Sequence, residues 1–197
     1  MSIMNSKTIV LASASPRRKE LLEMLGLELF IVPSEIDESF RPGEQPREHA
    51  VRLSLEKARQ VSEDYPGNWV LGADTIVVVD GEVLGKPSGR AEARAMLLKL
   101  SGREHVVITA FALACKRAGI EISEAVESRV TFNELGEDEL QWYLDTGEPF
   151  DKAGAYAVQG RGAAFIKGIC GSHTNVIGLP LSEVVEALRR TGAIRLC

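Results

Sequence analysis

The chain has 197 residues, 45% of them hydrophobic and 26% charged, and a formal net charge of −5. That length buries a substantial core as one large domain or two closely joined lobes, with the composition of a globular enzyme. The acidic balance excludes a general nucleic-acid binder, which needs a basic field, but allows a small anion held by a few local cations.

Cys115, Cys170 and Cys197 lie far apart with no CxxC spacing, and His49, His105 and His173 are equally scattered. No zinc motif is present, and the cysteines read as reduced thiols of a cytosolic protein. No apolar run approaches membrane-spanning length, and residues 1–7 are too short and polar for a signal peptide. The expectation is a soluble cytoplasmic protein, one domain over residues 1–197 with two closely joined lobes, without repeats or flexible linkers.

Residues 8–12 form a buried opening strand by their β-branched, apolar character. Ser15 is a good N-cap, Pro16 suits the first helical position, leucines follow at 21, 22 and 25, and Gly26 closes the helix. A strand running into a helix N-terminus leaves N–H groups pointing outward, an anion site. The Ser13 and Ser15 hydroxyls and the paired Arg17 and Arg18 favour that reading, since two first-turn arginines oppose the helix dipole.

Residues 28–33 read as a second strand. The acidic loop Glu35-Ile36-Asp37-Glu38 is first a solvated charge run and second a source of oxygen ligands for Mg²⁺. Residues 46–65 form a long helix with Ala50, Leu53, Ala58 and Val61 as its apolar stripe, ended by Pro66-Gly67. Arg52 and Lys57 lie near that stripe and read as snorkelling cations.

Residues 70–87 form a tight hairpin, because Asp80-Gly81 supplies the positive φ angles of a two-residue turn. Asp74 and Lys86 sit at its mouth. An acid inside so apolar a strand costs desolvation unless a cation or proton partner meets it.

A helix opens at Ser88 or Gly89 and runs through Ala93, Met96, Leu97 and Leu100. Residues 106–115 make a central strand, 116–119 a turn, 120–132 a long partner strand, and 135–146 a helix whose first-turn acids are capping charge. In residues 148–169, glycines at 154, 160, 162 and 168 let the backbone approach a ligand or another strand closely. Asp151, Lys152 and Gln159 are polar groups there able to read a base. Residues 172–180 are a loop, and 181–191 a closing amphipathic helix with Val184, Val185 and Leu188 inward.

Taken in order, Ser13-Ala14-Ser15-Pro16-Arg17-Arg18, Ile36-Asp37-Glu38, Glu56-Lys57-Ala58, Gly72-Ala73-Asp74-Thr75, Gly85-Lys86-Pro87, Asp151-Lys152-Ala153-Gly154-Ala155-Tyr156, Gln159-Gly160 and Gly178-Leu179-Pro180 resemble the Maf family of nucleotide pyrophosphatases, and within it the dTTP/UTP-specific branch. The likeness runs from Ile9 to about Arg190. It implies an α/β fold, a mixed twisted central sheet flanked by helices with two lobes around a cleft, and a homodimer. It also implies metal-dependent hydrolysis of dTTP or UTP to the monophosphate and pyrophosphate, a nucleotide-pool role linked to cell division arrest.

By the same resemblance Asp74 is the catalytic proton acceptor, and Arg17, Thr75 and Gln159 set substrate choice. Ser13, Ser15, Arg18, Lys57 and Lys86 hold phosphates, while Asp74 and Glu38 hold Mg²⁺ or Mn²⁺. A sister branch acting on 7-methyl-GTP carries Gln where this chain has Thr75. Ala157 departs from the glycine common in relatives. The alternatives are a nucleotidyltransferase, whose phosphate loop needs glycines where Ser13 and Ser15 stand, a non-enzymatic nucleotide-binding regulator of septum formation, and a purely structural domain.

Overall fold

The period of the apolar residues switches along the chain between two and about 3.6, and the elements follow it. In chain order they are β1 (Ile3–Asn5), β2 (Ile9–Leu11), α1 (Pro16–Glu23), β3 (Leu29–Ile31), α2 (Pro46–Asp64), β4 (Trp69–Val79), β5 (Glu82–Leu84), α3 (Arg90–Leu100), β6 (Glu104–Cys115), β7 (Ile120–Phe132), α4 (Glu137–Asp145), β8 (Ile166–Cys170), α5 (His173–Ile177), α6 (Leu181–Arg190) and β9 (Ile194–Leu196). The structure is a computed structural model that describes residues 3–5 and 8–196, with backbone only at 3–5 and 196.

Seven strands make one open sheet in the order β3-β2-β4-β6-β7-β8, with β5 paired to β4. Strand β2 runs parallel to both β3 and β4, whereas β5 is antiparallel to β4 and β8 to β7. The sheet is therefore mixed, as expected, and helices flank it. Strands β1 and β9 form a separate antiparallel pair.

Two compact units divide the chain, one from Met1–Asp74, Thr109–Val126 and Gly178–Cys197, the other from Thr75–Ile108 and Glu127–Ile177. The first contains a core of Val10, Ala12, Ala58, Val61, Val70, Ala112 and Ala114. The second packs a larger cluster that includes Val77, Leu97, Phe132, Tyr143, Tyr156 and Phe165.

Local chemistry explains the boundaries. Ser15 caps α1 by accepting from the Arg18 N–H, and Pro16 takes the first helical position. The hairpin turns on Asp80 (φ 51°) and Gly81 (φ 79°), with Val79 facing Glu82 and Val77 facing Leu84. Glu139 reaches back to the Gly136 N–H at 2.8 Å, so the acids opening α4 act in its capping.

Four elements escape the sequence reading. Strand β8 lies in the glycine-rich stretch, whose Lys167 and Gly168 break up an apolar run. Helix α5 replaces part of the loop at 172–180, the Ser172 hydroxyl accepting the Asn175 N–H at 3.2 Å at its start. Strands β1 and β9, three residues each, are defined by pairing across almost the whole chain. Cys115 and Cys170 are free thiols, while Cys197 lies outside the described residues. Among the described residues no helix is long and apolar enough to cross a membrane.

Candidate active site

In the first unit, three side chains from three segments meet. Asp74 is buried halfway along β4, and its Oδ1 lies 2.8 Å from Lys57 Nζ. The same ammonium lies 2.7 Å from Glu38 Oε1, in the exposed acidic loop. The cation that the buried acid requires is thus Lys57.

Gly72 makes that meeting possible. Residues 72 and 74 share a face of the strand. A Cβ at 72 would stand 2.3 Å from Ser54 O and 2.7 Å from Ala58 N, so only a glycine lets α2 lie this close to β4. The helix then delivers Lys57, one of its buried residues, onto Asp74. Lys57 lies four residues after Leu53 and seven after Ala50, on the buried face, so it does not snorkel to solvent. That spacing was the signal for the pairing.

The N-terminus of α1 is held by Arg18. Its Nε donates to Gly178 O at 2.9 Å, and its Nη1 donates to Ala73 O at 2.9 Å and to Ser13 Oγ at 3.1 Å. One guanidinium thereby fixes the residue before Asp74, the loop before α1, and the segment leading into α6. Burial pushes the Arg18 pKa down, with Arg17 adding to that and the Asp74 and Glu38 carboxylates opposing it. Arg17 is half-buried in the first helical turn. Ser13 is buried and also accepts the Ser15 N–H at 3.2 Å. Bonding to Ala73 and Gly178 gives Arg18 a place in the fold that the sequence reading did not foresee.

The second unit holds the other expected residues. Thr75 follows Asp74 in β4 and is half-buried. Lys86 is exposed just past the end of β5, and Gln159 is exposed in the glycine-rich stretch. Asp151 and Lys152 pair with one another, and Lys152 Nζ also donates to Glu148 O at 2.9 Å.

The backbone just after Gln159 meets a group that sequence reasoning missed. Glu148 Oε1 accepts from the Tyr143 hydroxyl at 2.8 Å and the Gly162 N–H at 3.1 Å, and Oε2 accepts from the Arg161 N–H at 3.0 Å. Burial works to raise the Glu148 pKa, but those two N–H groups and the hydroxyl outweigh it and hold the carboxyl below its ordinary value. Burial and the adjacent carboxylate push the Tyr143 phenol up, so it stays a donor.

A divalent cation fits the donor set in part. Asp74 and Glu38 converge from opposite segments on one small cation, the ammonium of Lys57. Mg²⁺ uses one or two carboxylates and completes its shell with water and substrate phosphates. Among the described residues no group of three or more His, Cys, Asp or Glu forms a site of its own.

A family model described as "Maf-like protein" matches residues 8–191. A protein of Syntrophus aciditrophicus (strain SB) named "dTTP/UTP pyrophosphatase" is 53% identical over 191 residues, covering 97% of this chain and 93% of that protein. One of Citrifermentans bemidjiense with the same name is 51% identical, covering 97% and 99%. Among solved structures, the Ham1 protein of Staphylococcus aureus aligns over 94% of this chain and 100% of its own, with a TM-score of 0.51 and 14% identity, a likeness of fold alone.

Proposed function

This chain belongs to the Maf family, and from that premise we propose that it is a hydrolase that splits dTTP and UTP into the nucleoside monophosphate and pyrophosphate. The observation that carries this is identity of about half, over nearly the full length, to proteins named for that activity. The proposed setting is the cytoplasm, where nucleoside triphosphates are made and used.

The Lys57–Asp74 contact supports the first of the residue roles in this reading. Asp74 takes the proton of the water that attacks the α-phosphorus, for which a fixed, ionised carboxylate is needed. Lys57 serves that end by holding one carboxylate oxygen in place at 2.8 Å. Phosphoryl chemistry is mostly positioning and charge stabilisation, so cations must meet the phosphates. Arg18, Lys57 and Lys86 supply them, with the Ser13 and Ser15 hydroxyls at the end of α1. Arg17, Thr75 and Gln159 choose the base, Gln159 through a carboxamide that both donates and accepts. Asp74 and Glu38 hold Mg²⁺ or Mn²⁺, which when bound supplies positive charge to the phosphates and acidity to a water.

The test is pyrophosphate release from each common nucleoside triphosphate, with Mg²⁺ or Mn²⁺, by wild type and Asp74→Asn. Preference for dTTP and UTP is expected, with the variant slowed by about 10²–10⁴-fold, the usual worth of a positioned base. Release that needs an added acceptor would identify a nucleotidyltransferase instead. A wild-type protein that binds dTTP without cleaving it would identify a regulator.

A further inference from the structure

We propose that Glu148 is a positioning residue for base selection, its carboxylate holding the backbone of residues 157–162 in the shape that presents Gln159. The inference rests on the base-choosing role given above to Gln159.

Glu148 follows α4 and begins a short 3₁₀ turn, Glu148–Asp151. Its carboxylate accepts the N–H groups of Arg161 and Gly162, while Tyr143 bridges back to the start of the same segment. The Tyr143 hydroxyl donates to Glu148 and accepts the Ala157 N–H at 3.2 Å. One carboxylate and one phenol therefore fasten both ends of a six-residue segment with Gln159 in its middle.

The foundation is rigid. Tyr143 is fully buried, and its ring stands edge-on to Phe165 with centroids 5.0 Å apart. The segment is shaped to this pair. A Cβ at Gly160 would lie 2.6 Å from Glu148 Oε2, and one at Gly162 would lie 2.7 Å from the Tyr143 hydroxyl. These glycines, which read from sequence as room for a ligand or strand, let the backbone close against the half-buried Glu148 carboxylate at Gly160 and against the Tyr143 hydroxyl and Ala157 backbone at Gly162.

Fixing the segment has a chemical consequence. dTTP and dCTP have rings of one size and share the O2 acceptor, but donor and acceptor are reversed at N3 and at the group on C4. A glutamine on a mobile backbone can bring its carboxamide to either edge from several positions, whereas one on a backbone held in place reaches the base from one position and serves the two edges unequally. Selection then depends on Glu148, which need touch no substrate.

Glu148→Gln tests this, because whichever way the new amide turns, its NH₂ faces a backbone N–H. Pyrophosphate release from dTTP and dCTP is measured on the full chain for wild type, Glu148→Gln, Gln159→Ala and the double variant. Amide exchange at Arg161 and Gly162 is followed alongside. Expected are faster exchange and a roughly tenfold fall in the dTTP-to-dCTP ratio of kcat/KM, in the range of couplings within one network. That fall should vanish when Gln159 is already alanine.

An unchanged ratio in Glu148→Gln overturns the proposal. So does an equal further fall in the double variant when Gln159→Ala has itself lowered the ratio. If Glu148→Gln lowers the ratio and Gln159→Ala does not, positioning by Glu148 stands and the role of Gln159 fails. Tyr143→Phe removes only a hydroxyl and decides the matter should Glu148→Gln not fold. It should lower the ratio in the same direction by less, and no change there overturns the proposal.

Discussion

Lys57 Nζ lies 2.8 Å from Asp74 Oδ1, and the two side chains are only 9% and 11% exposed. A buried ion pair gains little over an apolar pair of the same volume, but removing one partner leaves a charge without compensation, at about 3–5 kcal/mol. Lys57→Met should lose stability on that scale. Combining it with Asp74→Asn should restore part of the loss, because the stranded charge is gone. Urea denaturation of both single variants and the double checks this. Additive losses would mean that the pair is not coupled.

Gly72 sets the spacing that the pair depends on. Gly72→Ala places a methyl 2.3 Å from Ser54 O and 2.7 Å from Ala58 N, both backbone atoms of α2 that no side-chain rotation can clear. Helix and strand must part. Overpacking commonly costs about 1–3 kcal/mol, and a backbone clash belongs at or beyond the upper end. A fall in urea midpoint should come with a loss of pyrophosphate release greater than the loss of stability explains, since Lys57 withdraws from Asp74. A variant of wild-type stability would contradict the close approach.

These two residues also show how far the sequence was legible. The strands and long helices were readable because periodicity, caps and turn chemistry are local: Ser15-Pro16 and Asp80-Gly81 each carry their own signal. Asp74 stood out as an acid in an apolar strand, but its partner lies 17 residues away on a helix and emerges only when the two pack. The structural role of Arg18 is not legible in the sequence, because its acceptors at Ala73 and Gly178 are backbone carbonyls without a sequence signature. Glu148 gave no signal at all, for its partners are mostly N–H groups brought near by glycines 12 and 14 residues later.

His105 ties stability to pH. It is buried beside Phe132 and Tyr156, with Nε2 2.8 Å from the Tyr156 hydroxyl, and Nδ1 has no partner among the described residues. Burial pushes its pKa down from 6.5 to about 4. The unfolded chain therefore binds the proton first as pH falls, so stability is lost between pH 6.5 and about 4, by at most roughly 3 kcal/mol. Urea denaturation across that range should show a smaller loss in His105→Gln than in wild type. Parallel curves would mean that the imidazole is not held neutral by the fold.

Glu44 and Arg52 govern the more acidic limb. Arg52 Nε and Nη2 donate to the two oxygens of Glu44 at 2.5 and 2.8 Å, and Nη2 also donates to Ser39 O at 3.0 Å, next to Glu38. The Glu44 carboxyl accepts the Arg41 N–H at 3.1 Å as well, and Arg52 foremost holds its pKa well below the ordinary range. A carboxylate with a depressed pKa contributes stability above its unfolded value, 4.5, and loses it as pH falls through the folded one. Glu44→Gln should flatten the stability curve below pH 4.5 and leave the His105 window above it in place. Arg52→Lys keeps the charge but not the fork, and should cost roughly 2 kcal/mol, the worth of a hydrogen bond to a charged group. Faster amide exchange in the loop that carries Glu38 should accompany that loss, because the Ser39 carbonyl is released. Equal stability of the lysine variant would show that charge, not geometry, fastens the loop.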